Sequence, residues 1–288
     1  MARSNKVIES RINSYNLTVK FLQRTAAVLA VISFILLFIS GPIGFVVFFV
    51  TVLPLLFISF KYDKKVKDEL SDNVISVVVE EVFGASGTFD SDGRVNPGKM
   101  YLPFTYTDIY GEDLIRADYR GADVAISDLI LRQFVESKDP DGMDSHVKTF
   151  SGQWMTINLK KELVGEVSIY SYSDKHEKAS SDFTTDNVEF NSKFCIKADN
   201  PEEALKVLTP HLIEYILYTY NNLKDTELGL AFHRDGKVDV VFEREHDLFN
   251  VYDKSNMTID GLSQEYYDEL MVYANIVDTI SDEKAIYK

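Results

Sequence analysis

The 288-residue sequence has a single cysteine, Cys195, so it can form neither an intramolecular disulfide nor a zinc site of four thiolates. It also lacks an excess of basic residues, because 30 Lys and Arg stand against 45 Asp and Glu, a formal net charge of -15. Phosphate contacts need clustered positive side chains, so we expect no nucleic-acid partner. The hydrophobic content of 45% is that of a folded globular chain.

Charge is absent altogether from Thr25 to Phe60, where no Asp, Glu, Lys or Arg occurs. This uncharged segment is nearly twice as long as the roughly 20 apolar residues that span a bilayer as one helix. Gly41, Pro42 and Gly44 interrupt its middle, where proline removes a backbone donor and glycine permits turn geometry. Residues 25–60 therefore predict a transmembrane helical hairpin that contacts the lipid bilayer.

Basic residues lie at both ends of this hairpin, and the connecting turn has none. The positive-inside rule then predicts a two-span protein of the inner (plasma) membrane with both termini in the cytoplasm. Residues 1–24 predict an interfacial amphipathic helix, and residues 61–83 predict a juxtamembrane helix. The side chains that we expect at the membrane interface are Lys20, Arg24, Lys61, Lys64, Lys65 and Lys67.

Three other interpretations of the apolar segment are open. A cleaved signal peptide is disfavoured, because the polar lead and the apolar run are both too long. A buried hairpin in a soluble protein is disfavoured by the complete lack of charge. A transporter is disfavoured because neither span contains an ionisable residue to line a pathway.

Residues 84–288 predict a cytoplasmic α+β domain, with helices packed on a mostly antiparallel sheet, because short β-rich runs follow one another through polar turns. A hairpin with a two-residue turn at Asp235-Gly236 is expected over residues 228–242. The other predicted strands are Met100–Phe104, Leu114–Tyr119, Asp123–Leu131, Val147–Leu159, Val164–Tyr172 and Val188–Lys197.

Two helical regions interrupt these strands. Asn200 and Pro201 offer an N-cap followed by proline at the first helical position, and Thr209-Pro210 repeats this pattern before His211–Asn221. We therefore expect a helix that restarts at Thr209-Pro210. Apolar spacing predicts a last helix from Ser263 to Ile280.

Short motifs occur in order along this domain. They are Tyr110–Ile115, Gly121–Asp128, Phe150–Trp154 and Val188–Phe194, followed by Ala204 and Leu208-Thr209-Pro210. The series resembles a bacterial family catalogued as domain of unknown function 3137, with a departure at Ala117, where a glycine is expected. The resemblance covers most of the chain and implies a two-span hairpin followed by one domain. The family has no established activity, so the resemblance implies none.

Three residues are candidates for a functional site, although no residue is assigned as catalytic. The adjacent carboxylates of Glu112 and Asp113 could supply a general base or cation ligands, or could form a turn that caps the following strand. Trp154, with Phe150 and Gly152, indicates a β-bulge or edge strand, and alternatively could line a ligand groove.

Metal-binding patterns are incomplete. Asp90-Ser-Asp92-Gly93 and Asp139-Pro-Asp141-Gly142 resemble fragments of a calcium loop but lack its later ligands. The histidines have no helical pair spacing, and we interpret His233 and His246 as part of an exposed acidic strand end. Cys195 lies in a predicted strand and indicates a buried thiol. We expect neither a metal nor a cofactor.

These features support one main functional hypothesis and two alternatives. The main hypothesis is a cytoplasmic protein-binding or scaffolding domain tethered to the inner membrane, with a partner that could be basic because the domain is acidic. The first alternative is a membrane-anchored hydrolase or metal-dependent enzyme with a dispersed acidic site. The second is an envelope-facing binding domain, which requires the inverted topology. The sequence predicts no oligomeric state.

Overall fold

A computed structural model describes residues 2–40, 42–136, 144–174, 176, 179–223, 225–249 and 259–288. The chain divides into two compact units, one of residues 1–77 and 251–263 and one of residues 78–250 and 264–288. The N-terminal elements are α1 (Ala2–Ser40), α2 (Pro42–Val47), a π-helical turn (Phe48–Val52) and α3 (Leu53–Phe83).

Two stretches of these helices are long and apolar enough to cross a membrane. They are Thr18–Ile39, with a mean hydropathy of 2.1, and Pro42–Lys61, with a mean hydropathy of 2.6. Only 11% and 17% of their apolar windows are buried. The predicted pair of apolar N-terminal helices is thus confirmed.

Gly44 brings α2 into close contact with α1. A Cβ atom at this position would lie 2.5 Å from the Leu37 backbone nitrogen and 2.7 Å from the Ser33 carbonyl oxygen. Small residues at helix contacts permit this approach between backbones, which is a common way to pack helices where water supplies no driving force. The two apolar helices therefore pack as a hairpin.

The π-helical turn precedes Pro54, which lies near the start of α3. Proline has no backbone N–H and its ring crowds the carbonyl four residues earlier, so a regular α-helix is disfavoured there. The N–H of Leu53 instead donates to the Phe48 carbonyl oxygen, five residues back. The Thr51 hydroxyl donates to the Val47 carbonyl oxygen over 2.7 Å.

Replacement of Gly44 by leucine should separate the two helices, because the added side chain has no space. We expect a loss of about 1–3 kcal/mol in the stability of the hairpin, measured by denaturant titration of the full chain in detergent micelles with helicity as the signal. Val46→Leu is the matched control, because Val46 is 60% exposed. Equal stability of the two variants would contradict this packing.

The second unit contains one eight-stranded sheet with the strand order β1-β2-β3-β4-β8-β7-β5-β6. Every neighbouring pair is antiparallel. The fold class predicted from the sequence is confirmed. The strands are β1 (Thr88–Asp90), β2 (Asp108–Tyr119), β3 (Ala122–Val135), β4 (Ser145–Asn158), β5 (Val167–Ser171), β6 (Phe194–Lys197), β7 (Glu227–Phe232) and β8 (Lys237–Glu243).

The described residues of the chain after β5 also form helices. These are α4 (Val188–Lys193) before β6, α5 (Pro201–Val207) and α6 (Pro210–Asn222) between β6 and β7, and α7 (Ile259–Asp282) after β8. A short 3₁₀ helix (Lys284–Ile286) comes last. Asn200 caps α5 and Thr209 caps α6, each followed by proline, so the predicted restart is confirmed. These side chains accept N–H groups that the helices cannot satisfy internally.

Different elements cover the two faces of the sheet. On one face, α7 places the Tyr273 ring edge-on to Phe242 of β8, with centroids 5.2 Å apart. On the other face, the segment of residues 95–106 places Phe104 against Phe150 of β4 at 5.9 Å. Because both faces are covered, β8 is buried after Lys237, and β4 is buried or half-buried from Thr149 to its end.

Two predicted strands are wrong in whole or in part. Met100–Phe104 forms no strand, since its apolar side chains pack on the sheet face without backbone pairing. Residues 188–193 form α4, and only Phe194–Lys197 is a strand. The helix is favoured because Asn187 accepts the Phe190 N–H over 3.0 Å.

The predicted hairpin exists as β7 and β8, but its turn is longer than expected. The His233 N–H donates to the Lys237 carbonyl oxygen, so three residues, Arg234 to Gly236, lie between the bonded positions. Only Gly236, with φ of +88°, has a left-handed backbone. Asp235 instead accepts the Lys237 N–H through its side chain, a local bond that stabilises longer hairpin loops.

Candidate functional site

The motif segments of β2, β3 and β4 meet at one end of the sheet. Glu112 pairs with Asp128, and Asp128 and Leu129 pair with Gln153 and Gly152 of the next strand. A cavity of about 170 Å³ lies there. Its walls include Tyr110, Glu112, Asp128, Gly152, His246 and Asp247, and we call it the β2–β4 cavity.

Asp128 is the most buried acid of this cavity, with 7% of its surface exposed. One carboxylate oxygen accepts the side-chain amide of Gln153, and the other accepts the Leu248 N–H over 2.7 Å. The same Gln153 amide donates to the His246 carbonyl oxygen over 2.9 Å. Asp128 and Gln153 thus hold the segment that follows β8 against the sheet.

Arg244 extends this network to α7. Its Nε donates to the Gln153 side-chain oxygen, and its Nη2 pairs with the Glu269 carboxylate. The Tyr273 hydroxyl lies 3.3 Å from the same Nη2. The guanidinium therefore fixes which way the Gln153 amide points, because an amide oxygen must face the donating Nε.

Burial raises the pKa of Asp128 to about 7, although its hydrogen bonds from Gln153 and Leu248 oppose this shift. Loss of water disfavours the ionised carboxylate more than these two donors favour it. No cation contacts Asp128 directly among the described residues, since Arg244 reaches it only through Gln153. Asp128 is therefore a carboxyl group that titrates near neutral pH.

The folded-state pKa of Asp128 lies above its unfolded value, so folding binds a proton and the associated stability is lost as pH rises through about 7. Between pH 5 and pH 7 we expect the free energy of unfolding to fall by about 2 kcal/mol from this group. Asp128→Asn should remove this slope. The measurement is denaturant unfolding followed by the fluorescence of Trp154, the only tryptophan.

The control for this titration is Glu112→Gln, which neutralises the exposed acid that pairs with Asp128 across β2 and β3. The pH slope of this variant should match that of the unmodified chain, because Asp128 is still present. If Asp128→Asn and the unmodified chain have the same slope, the buried carboxyl is not the source.

A second buried cluster surrounds Asp239 of β8, which is 1% exposed. One carboxylate oxygen accepts the Trp154 indole N–H over 2.8 Å and the Thr156 hydroxyl over 3.0 Å. The other lies 3.1 Å from Nε2 of His233. The hydrogen bond to Asp239 raises the pKa of His233. These partners satisfy a carboxylate that would be costly to bury alone.

A third cluster centres on Glu243 at the end of β8. Its Oε2 accepts the Tyr170 hydroxyl over 2.9 Å and lies 2.7 Å from Nε2 of His176. Burial raises the pKa of Tyr170. A cavity of about 290 Å³ adjoins this cluster, and we call it the Phe104 cavity after one of its wall residues.

The three predicted site residues occupy different positions. Glu112 is exposed and lines the β2–β4 cavity. Asp113 lies inside β2 at a bulge and has a φ of 61°, so the acidic pair is not a turn before the strand. Its N–H donates to the Ser91 carbonyl oxygen. Trp154 is fully buried on the opposite side of β4 from Gln153, where it binds Asp239.

Gly152 lies where β4 meets β8 in the ladder, not at an edge strand as its motif suggested. A Cβ atom here would overlap the carbonyl oxygen of Phe242. The glycine is required because the neighbouring backbone, and not an aromatic ring, occupies this space. A bulge does occur nearby in β4, because Leu131 pairs with Phe150 and Arg132 pairs with Lys148, which leaves Thr149 as the extra residue.

The predicted membrane-interface side chains are described only in part. Lys20, Arg24 and Lys61 are exposed, and the Lys61 ammonium lies 5.5 Å from the centre of the Phe57 ring. The side chains of Lys64, Lys65 and Lys67 lie outside the described residues.

Within the described part of the chain, no three His, Cys, Asp or Glu side chains form an arrangement that could hold a metal ion. Asp90 accepts the Asp92 N–H over 3.2 Å in a tight turn, and Asp139 to Gly142 lie outside the described residues. Burial raises the pKa of the Cys195 thiol. The interpretation of His233 as exposed is wrong, because only 14% of its side chain is accessible.

Sequence reasoning missed four members of these clusters: Asp128, Gln153, Asp239 and Glu243. A signal was present in β8, where Asp239 and Glu243 interrupt a run of valine and phenylalanine. A charged residue in a buried strand needs a partner. That partner could not be identified from the sequence, since Trp154 and Tyr170 lie far away along the chain.

Comparison with known proteins supports part of the family resemblance. Residues 148–281 match a family described as "Protein of unknown function (DUF3137)", which confirms the predicted resemblance over that range. The range includes the motifs at Phe150–Trp154 and Val188–Phe194, and the two earlier motifs lie before it. No curated protein and no solved structure matches the chain.

Proposed function

We propose that this chain is a two-span protein of a bacterial inner membrane that tethers an α+β binding domain on the cytoplasmic side. The supporting observation is that most exposed large apolar side chains of the described residues lie between Phe21 and Phe60. In water such a surface would be costly, whereas a bilayer would cover it. Both ends of the hairpin carry the basic residues, which favours cytoplasmic termini.

Topology is tested by fusing one of two reporters after Lys288 in a bacterial host, one active only in the cytoplasm and one active only outside it. The proposal expects activity from the cytoplasmic reporter alone. Replacing Lys20, Arg24 and Lys61 by glutamine tests the charge argument. Loss of these positive charges should lower the fraction of chains with cytoplasmic termini. Activity of the external reporter on the unmodified chain would favour the envelope-facing alternative.

The proposed role of the domain is to bind a basic protein partner at the β2–β4 cavity. Glu112 and Asp247 are exposed at this cavity, and most of the acidic excess of the chain follows residue 70. A negative surface attracts basic partners and fixes their orientation. The enzyme alternative receives less support, since Asp113 and Trp154 do not line the cavity that contains Glu112.

Reversing two charges, with Glu112→Lys and Asp247→Lys together, should weaken partner capture by about tenfold or more at low salt. The measurement is crosslinking in native membranes, with the captured proteins quantified over a salt series. The matched control is Asp235→Lys with Glu162→Lys, which changes the net charge equally. Asp235 lies in the turn at the other end of β8.

The control pair should retain capture at every salt concentration, because its own ion pairs are on the surface and contribute little. Capture that is insensitive to both salt and the Glu112 and Asp247 changes would show that this surface does not bind the partner.

A further inference from the structure

The Phe104 cavity lies at the end of β8, on the sheet face opposite α7. Its volume of about 290 Å³ is close to that of pockets which hold small organic ligands. Its walls include Phe104, Lys148, Phe150, His176, Glu243 and Glu245.

The inner wall of this cavity is aromatic. Phe150 is 1% exposed, and the Phe104 ring lies 5.9 Å from it between centroids. The His176 ring lies 4.8 Å from Phe104, and Tyr170 lies 6.3 Å from the same ring. Aromatic faces carry partial negative charge and attract cations that have lost part of their hydration.

One carboxylate lies beside these rings. The Glu243 side chain is 8% exposed, and His176 is its ion-pair partner among the described residues. Histidine is a cation only when protonated. Two permanent cations also belong to wall residues, and each has a partner other than Glu243. The Lys148 ammonium lies 3.6 Å from Glu245, another wall residue, and the Arg244 guanidinium pairs with Glu269.

From this geometry we infer that the Phe104 cavity binds a small organic cation, with its ammonium group between the Phe104 ring and the Glu243 carboxylate. A buried carboxylate without a permanent counter-charge is stabilised when a cation arrives. An anion would meet the Glu243 carboxylate, whereas the charge of Glu245 is paired with Lys148. A neutral ligand would fill the space but leave the carboxylate without a counter-charge.

The test uses choline and 3,3-dimethylbutan-1-ol, which have nearly the same shape and differ in charge. Binding to the full chain in detergent micelles is followed by calorimetry and by the NMR signals of the His176 ring. Choline should bind saturably, shift these signals, and bind at least about tenfold more tightly than the alcohol. Equal affinity of the two probes, no binding of choline, or preferential binding of acetate would overturn the inference.

Variants locate the contribution of each group. Glu243→Gln should weaken choline binding at least about tenfold and leave the alcohol unaffected, and Phe104→Leu should weaken it about 2- to 30-fold. Glu245→Gln is the control, because Glu245 is 74% exposed and its charge is screened by water. Unchanged choline affinity in folded Glu243→Gln would also overturn the inference. Trp154 fluorescence reports folding, and if this variant does not fold, the choline and alcohol comparison decides.

Discussion

The pairing of β4 with β8 is the contact on which the rest of the domain depends. It joins two halves of the sheet, the run β1 to β4 and the group β8, β7, β5 and β6. Each of the three buried polar clusters includes a residue of these two strands, namely Gln153 or Trp154 of β4 and Asp239 or Glu243 of β8. Loss of this ladder would break the contact between Trp154 and Asp239 and open the clusters to water.

Gly152 shows how closely the two strands approach, since any side chain there would meet the Phe242 carbonyl oxygen. Just beyond this point β8 ends with one further ladder bond, in which the Arg244 N–H donates to the Ser151 carbonyl oxygen over 2.9 Å. The two cavities adjoin this end of the ladder and share Ser151 as a wall residue. The end of one ladder therefore produces two neighbouring sites of different chemistry.

Much of the fold could be predicted from the sequence because it depends on local patterns. The apolar run of residues 25–60, the caps at Asn200 and Thr209, and the hairpin around Asp235-Gly236 each have a nearby physical cause. The candidate site was harder to predict, because Asp128 meets Leu248 across 120 positions of the chain. A contact between residues so far apart in the sequence can be recognised only when the strand order is known.

The wrong strand prediction at residues 100–104 also arises because local patterns do not show which elements pair. The segment of residues 100–104 is a short apolar and aromatic run typical of a strand, but it covers the sheet face, which composition cannot distinguish from strand pairing. This segment contributes Phe104 to the larger cavity. Its Tyr101 N–H donates to the Ser168 hydroxyl and not to a neighbouring strand's backbone, so the segment can form a cavity wall without altering strand register. The misassigned segment thus contributes directly to the site for which we propose a ligand.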